Sequence, residues 1–336
     1  MNQHPTLIIT HRSTFHQQRL ASAAPQELAV TVRRDIRKAE LLRLLPEVEF
    51  LISEREDVLD AETITAGRGL RLIQRLGSQT WDIDLEAARR AKIPVCCWSD
   101  PSTINVAEHC LMMTLALLKK SRECMAVLNQ AAWTRQPRRS DEDTYAYNWS
   151  ERAGIGSLRG KTAGILGFGE IGRELAARLR GFETSVLYHK RRRLPPTAEA
   201  QFGVSYAEPD AILRQADVVY ALLPYSAGAD QSLNAGFFAR MKPGAYFVSC
   251  GGSGMVEEAA LIEALTGGRL AGAALDTYTF EPPPTDSPLL ALHRDLSLNL
   301  VLTPHVAAGT EFAERREEYT NLLRLLSGEQ LLYQVA

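Results

Sequence analysis

Between Gly164 and Gly181 the chain reads GILGFGEIGRELAARLRG, and nothing else in it narrows the fold so far. Gly167, Gly169 and Gly172 fall in G-x-G-x-x-G spacing, after an apolar strand-like run and at the opening of a helical one. In that setting each glycine has a task. The first permits a tight turn. The second lets backbone approach a diphosphate at the helix N-terminus, and the third lets helix and strand pack closely. The competing reading is a glycine turn with no ligand. On the first reading Gly167, Gly169, Glu170, Ile171 and Gly172 hold the diphosphate of a dinucleotide.

Short apolar runs alternate with helical patterns through the rest of the chain. LIIT (7–10), VEFLIS (48–53), LRLIQRLG (70–77) and IPVCCW (93–98) read as strands, with IRKAELLRLL (36–45) and IDLEAARRA (83–91) as helices between them. After Pro101 the stretch 105–123 reads as one long buried helix, and the polar, aromatic stretch 135–156 as a loop. Further strand-like runs follow at 162–169, 184–189, 217–224, 244–250, 270–278 and 300–306. This alternation predicts an α/β protein with parallel sheets, the second set of strands forming a complete doubly wound dinucleotide fold. The amphipathic stretch 311–328 is expected to pack back on the first domain.

A chain of 336 residues suits two such domains. A net charge of −2 gives no electrostatic case for nucleic acid or an anionic membrane. The opening MNQHPTLIITHRS lacks the apolar core and cleavage site of a secretory signal, and no apolar run is long enough to span a bilayer. Cys96, Cys97, Cys110, Cys124 and Cys250 form no CxxC pair and no Cys/His zinc pattern. They read as reduced, buried thiols of a cytoplasmic protein, and no metal is expected.

The strand after the glycine turn ends SVLYH. Where NAD binds, an acidic residue here holds the adenine ribose hydroxyls. This chain has His189, Lys190, Arg191, Arg192 and Arg193 instead. A carboxylate repels a 2′-phosphate and a basic cluster grips one, so the turn favours NADP over NAD. The bland alternative is a solvated basic turn.

Taken together, GSQTWDIDLEAARRAKIPV, NVAEHCLMMTLALL, LRGKTAGILGFGEIG, MKPGAYFV, EEAALIEALTGGRLAGAALDTYTFEPP and LVLTPHVAAGT resemble the D-2-hydroxyacid dehydrogenase family, in the family's order over residues 77–310. The resemblance implies a Rossmann cofactor domain (103–305) inserted into a flavodoxin-like substrate domain (1–102 plus 306–336). It implies an acid–base histidine at His305, in Thr303-Pro304-His305, with Glu281 as its carboxylate partner. A histidine titrating near neutrality can protonate the alkoxide formed by hydride transfer, and a carboxylate on its other nitrogen orients the ring. His109, His189 and His293 lack that setting and read as structural or surface residues. The resemblance also places Leu223, Pro224, Cys250 and Gly251 along the cofactor, Asp276 at the nicotinamide ring, and a homodimer contact on the helix starting near Asn105. With NADPH the expected direction in the cell is reduction of a small-molecule substrate.

Two departures lie on the substrate side. The family's arginine usually stands in N-x-x-R-G; here the loop VSCGGSGMV puts Ser249 at the asparagine and Gly252 at the arginine. Another cation can take over, with Arg55, Arg135, Arg138 and Arg139 as candidates. Alternatively the substrate is not a simple 2-keto acid, and the room left by Gly252 admits a bulkier carbonyl. A third alternative is a non-catalytic NAD(P)-sensing protein. The family's G-x-G-x-D loop reads Gly77-Ser78-Gln79-Thr80-Trp81-Asp82, so Gln79 and Trp81 replace the second glycine and the acid. The backbone of Ser78 and Gln79 can still bind substrate. Equally, Trp81 fills core and Gln79 caps a turn.

Overall fold

A computed structural model describes residues 3–54, 58–98, 101–131, 133–309 and 315–336. The chain forms two compact units, 1–101 with 311–336, and 102–310.

The first unit is a parallel sheet of β1 (His4–Thr10), β2 (Leu28–Arg34), β3 (Phe50–Ser53), β4 (Leu72–Leu76) and β5 (Val95–Trp98), in the order β2-β1-β3-β4-β5. That is the flavodoxin-like order. Its central strands are continuous apolar runs because helices cover both faces. Ile8, Phe50, Ile52 and Leu72 are fully buried on one side, and Leu7, Leu51, Ile73 and Val95 on the other. Side-chain caps start two of the helices. Asp60 accepts the Thr63 N–H at the head of Ala61–Ala66, and Asp84 accepts the Ala87 N–H at the head of Leu85–Ala91.

The C-terminal segment returns to this sheet. Tyr319 and Leu322 are buried against Ile8, Leu20, Phe50 and Ile52, each such side chain contributing about 1.5–3 kcal/mol. An ionic knot anchors it. The Arg315 guanidinium donates to Glu54 (2.6 Å), to Glu318 (2.6 Å) and to the His16 carbonyl (3.2 Å). Burial pushes the Glu318 carboxyl up to about 7, Arg315 opposing only in part.

The second unit holds β6 (Thr162–Leu166), β7 (Ser185–His189), β8 (Val204–Tyr206), β9 (Val218–Ala221), β10 (Ala245–Ser249), β11 (Leu270–Leu275) and β12 (Leu300–Leu302), all parallel. Their order is β12-β11-β10-β9-β6-β7-β8, so the strand order reverses between β6 and β9. In doubly wound sheets ligands bind outside the carboxyl ends of the strands at that switch point.

Three elements differ from expectation. β2 and β8 are strands that the apolar runs do not announce; both are edge strands, the first ending in exposed arginines and the second only three residues long. Edge strands need no apolar run, so a search for such runs passes over them. The predicted helix 105–123 is two helices, Ser102–Leu118 and Ser121–Gln130, broken where Lys120 takes a left-handed φ of 48°. The thiols are all free, but Cys97 and Cys124 are only half-buried. Among the described residues no helix is long and apolar enough to cross a membrane.

Candidate active site

Gly167, His189, Leu222, Cys250, Asp276 and Thr303 each follow or close one of the strands β6, β7, β9, β10, β11 and β12, so they share one edge of the second sheet.

The three glycines of the fingerprint are not equivalent. Gly167 has φ +96°, and a Cβ there would lie 2.6 Å from the carbonyl of Leu222 and 2.8 Å from the Leu223 nitrogen. The turn can therefore be only glycine. The His189 carbonyl fastens it, accepting from the N–H of Gly167 (3.1 Å) and of Phe168 (3.3 Å). Gly172 packs its helix on the strand, its Cβ position 3.1 Å from the Gly167 oxygen and 3.3 Å from Ile165. Gly169 caps the helix Glu170–Arg180, and a Cβ there would meet nothing within 4 Å. An exposed helix N-terminus with open space at the glycine is a cradle that fits a diphosphate. Glu170, half-buried beside it, is engaged by the buried Arg173 guanidinium, and Ile171 packs into the core.

At the end of β7 the basic turn divides by task. Arg193 is committed to Glu199 (2.8 and 2.9 Å) and lies over the Tyr206 ring. Lys190 is half-buried, and Arg191 and Arg192 are exposed. The His189 ring approaches the Ala207 carbonyl at 3.3 Å.

In the loops after β11 and β12, His305 and Glu281 meet. His305 Nδ1 lies 2.6 Å from Glu281 Oε2, with the ring 52 % exposed. Burial works to raise the Glu281 carboxyl. Hydrogen bonds from His305, the Tyr278 N–H and the Ser253 hydroxyl outweigh it and hold the group below the usual carboxylate range. The carboxylate therefore accepts, the Nδ1–H donates, and Nε2 is left for chemistry.

His305 carries a left-handed φ of 52°, which a residue with a Cβ holds only when its surroundings impose it. The clamp is Asp276, which is 1 % exposed. Its carboxylate accepts from the Thr303 hydroxyl (2.6 Å) and from the N–H groups of Val306 (3.0 Å) and Ala307 (2.9 Å). The Tyr278 hydroxyl donates to the Thr303 carbonyl at 2.8 Å, and Asn105 reaches the Ala308 carbonyl at 3.1 Å. Asp276, expected at the nicotinamide ring, also fixes the loop that carries His305. His109 belongs to the same network. With the Thr303 proton given to Asp276, His109 Nε2–H donates to Thr303 Oγ at 2.9 Å. Burial lowers the His109 pKa, the Asp276 charge opposing it only in part, so the ring is neutral at pH 7. Sequence spacing gives no hint of this role. His293 faces the Leu300 carbonyl at 3.1 Å, away from this group.

In the loop after β10, the direction a side chain on Gly252 would take is closed. A Cβ there would lie 2.6 Å from the Cβ of Tyr225 and 2.7 Å from its Cα, closer still to its nitrogen. Gly251 is as confined, its Cβ position 2.8 Å from the Leu223 oxygen and 2.9 Å from that of Ala221. The Gly252 N–H donates to Leu223 (2.8 Å), so the loops after β9 and β10 lie backbone to backbone. Leu223 is half-buried between them and Pro224 is exposed. The Cys250 thiol is turned inward onto Cys110, and that contact, with burial, drives its pKa up. Ser249 is buried.

In the first unit the loop after β4 is held at both ends. The buried Arg75 guanidinium meets Asp82 at 2.5 Å, and Gly77, with φ +126°, donates to the Trp98 carbonyl at 2.6 Å. Ser78 is exposed, and Gln79 donates to its hydroxyl at 3.1 Å. Trp81 is 37 % exposed, so it does not fill core. Arg135, Arg138 and Arg139 are exposed in a stretch without helix or strand, and Arg55 lies outside the described residues. Among the described residues no cluster of His, Cys, Asp or Glu could hold a metal ion.

Residues 112–307 match the family described as D-isomer specific 2-hydroxyacid dehydrogenase, NAD binding domain. The chain is 34% identical to a D-3-phosphoglycerate dehydrogenase of Archaeoglobus fulgidus over 85% of its own length and 50% of the relative's. It is 29% identical to a hydroxypyruvate reductase of Thermotoga maritima over 87% of its length and 88% of that protein. It thus spans half the length of the phosphoglycerate dehydrogenase it matches. Among solved structures the TT0316 protein of Thermus thermophilus superposes with a TM-score of 0.54, at 29% identity, over 99% of this chain and 100% of that one.

Proposed function

Since the chain belongs to the D-isomer specific 2-hydroxyacid dehydrogenase family, we propose that it is an oxidoreductase. It moves hydride between NADP, preferred over NAD, and the carbonyl or hydroxyl carbon of a small 2-hydroxy acid-like substrate. The observation that carries this reading is the 2.6 Å pair of His305 and Glu281, on the same sheet edge as the open glycine cradle.

Gly169, Glu170 and Ile171 hold the diphosphate at the helix N-terminus. Lys190, Arg191 and Arg192 hold the 2′-phosphate, and the absence of an acid at the end of β7 supports NADP. Leu223, Pro224, Cys250 and Gly251 line the dinucleotide through backbone. Bound there, a nicotinamide supplies or accepts the hydride. In reduction His305 Nε2 gives its proton to the oxygen that becomes the hydroxyl, while Glu281 stabilises the imidazolium beforehand. In oxidation the neutral ring takes that proton back at Nε2. Asp276 and Thr303 keep the ring aimed by fixing the backbone on both sides of it. Ser78 and Gln79 offer backbone donors to the substrate. A homodimer built on the helix Ser102–Leu118 completes the reading, supported by Ile104 and Met112, which that helix exposes.

The test is oxidation of NADPH and NADH with 2-keto acids, aldehydes and ketones, repeated with His305→Ala. Loss of about 10²–10⁴ in kcat is expected from removing a general acid. Turnover unchanged by that substitution refutes the mechanism.

A further inference from the structure

The loops that surround the His305–Glu281 pair in the second unit are 222–232, 249–256, 276–287 and 303–309. They contain no lysine and no arginine, while Asp230, Asp276, Glu281 and Asp286 lie on them. The direction a side chain at residue 252 would take is blocked by the backbone and Cβ of Tyr225. The Tyr225 ring lies along the glycine backbone. A Cβ on Gly254 would stand 3.2 and 3.6 Å from its Cε2 and Cδ2. That ring is 51 % exposed. Between the two glycines, Ser253 donates to Glu281 at 2.9 Å, tying this wall to the acid–base pair. Phe280 and Val306, the chain neighbours of Glu281 and His305, are exposed apolar residues.

We infer that Tyr225, laid over Gly252 and Gly254, is a specificity-determining residue, and that the substrate presents an uncharged apolar or aromatic group, not a carboxylate, to this wall. This inference rests on the oxidoreductase reading for its site but not for its test. An anion laid against the Tyr225 ring meets no lysine or arginine of these loops, and Asp230 stands beside the ring at Gly254, so it loses on solvation and on charge. An aromatic or alkyl group covers the exposed face of a phenol ring and gains from stacking and burial. The glycines serve the ring: any side chain at 252 displaces it, and one at 254, where φ is +82°, is strained and presses on it.

The experiment uses the full chain with NADP⁺ bound, so that carbonyl ligands bind without turnover. 2-Oxo-4-phenylbutanoate and 2-oxoglutarate, which share a 2-keto acid end and offer the wall a phenyl ring or a carboxylate, are titrated by calorimetry. The phenyl ligand is expected to bind about ten-fold more tightly, the scale of one well-placed aromatic contact. Tyr225→Ala is expected to erase that advantage, and Tyr225→Arg to invert it, with melting curves confirming that each variant folds. Equal or tighter binding of 2-oxoglutarate overturns the inference, and so does a phenyl-ligand affinity indifferent to Tyr225→Ala, or binding of neither ligand. Should a variant not fold, the wild-type comparison still decides. A phenyl preference in a protein that reduces no carbonyl keeps this inference and sinks the proposed activity instead.

Discussion

Gly169→Ala separates a ligand-binding glycine from a structural one. Its Cβ enters open space, and the residue sits in extended backbone (φ −91°, ψ −154°) that alanine tolerates. Exchanging glycine for alanine at a helix N-cap costs at most about 1 kcal/mol, so the melting temperature of the free protein falls by only a few degrees. If the diphosphate approaches this atom, the methyl group pushes it from the amides. Losing one hydrogen bond to a charged group costs about 1.5–3 kcal/mol, which weakens NADPH binding roughly 10- to 150-fold. Gly167→Ala is the contrasting control. Its methyl meets Leu222 at 2.6 Å in a backbone of φ +96°, so it destabilises the second unit by about 2–5 kcal/mol before any ligand is added. Calorimetry gives the melting temperatures and NADPH fluorescence the affinities. Gly169→Ala protein that binds NADPH within two-fold of wild type refutes the placement of the diphosphate.

Replacing Lys190, Arg191 and Arg192 by alanine should lower kcat/KM for NADPH by about ten-fold or more per lost phosphate contact, with NADH little affected; steady-state kinetics with both coenzymes checks it. Asp276→Asn puts an amide against the N–H groups of Val306 and Ala307, so it should lower kcat strongly while leaving NADPH affinity near wild type, read by parallel kinetics and titration. In the first unit, burial raises Glu318 from 4.5 to about 7, so the folded state holds a proton that the unfolded chain releases. Stability from this group is complete below about pH 4.5 and lost as pH rises through 7, a swing on the order of 3 kcal/mol. Glu318→Gln should flatten that dependence, which denaturant unfolding at pH 5 and pH 8 measures.

What the sequence shows of this molecule is its buried, periodic part. The central strands of both sheets are uninterrupted apolar runs because helices cover both their faces, and such runs are legible without any coordinates. β2 escapes because it is an edge strand whose pattern ends in charge, and β8 because it is only three residues long. The break at Lys120 escapes because Lys119 to Glu123 holds no glycine or proline and reads as one more solvated helical turn. The candidate pair is legible through its motifs, and the structure brings His305 and Glu281 together. What no motif announces is how the loop beneath them is held. Asp276, Thr303 and His109 meet only because β11, β12 and the helix Ser102–Leu118 are neighbours in space. At Gly252 a missing side chain suggests a vacancy in one dimension, while in three dimensions Tyr225 fills the direction that side chain would take.

The central claim is that His305, poised by Glu281, faces the reacting carbon across a bound nicotinamide. A crystal structure of the chain with NADP⁺ and a carbonyl ligand measures it directly. The account requires the His305 Nε2 to lie within about 2.6–3.2 Å of the ligand's carbonyl oxygen, with that carbonyl carbon against C4 of the ring. A nicotinamide bound elsewhere, or an Nε2 turned to any other partner in that complex, contradicts it.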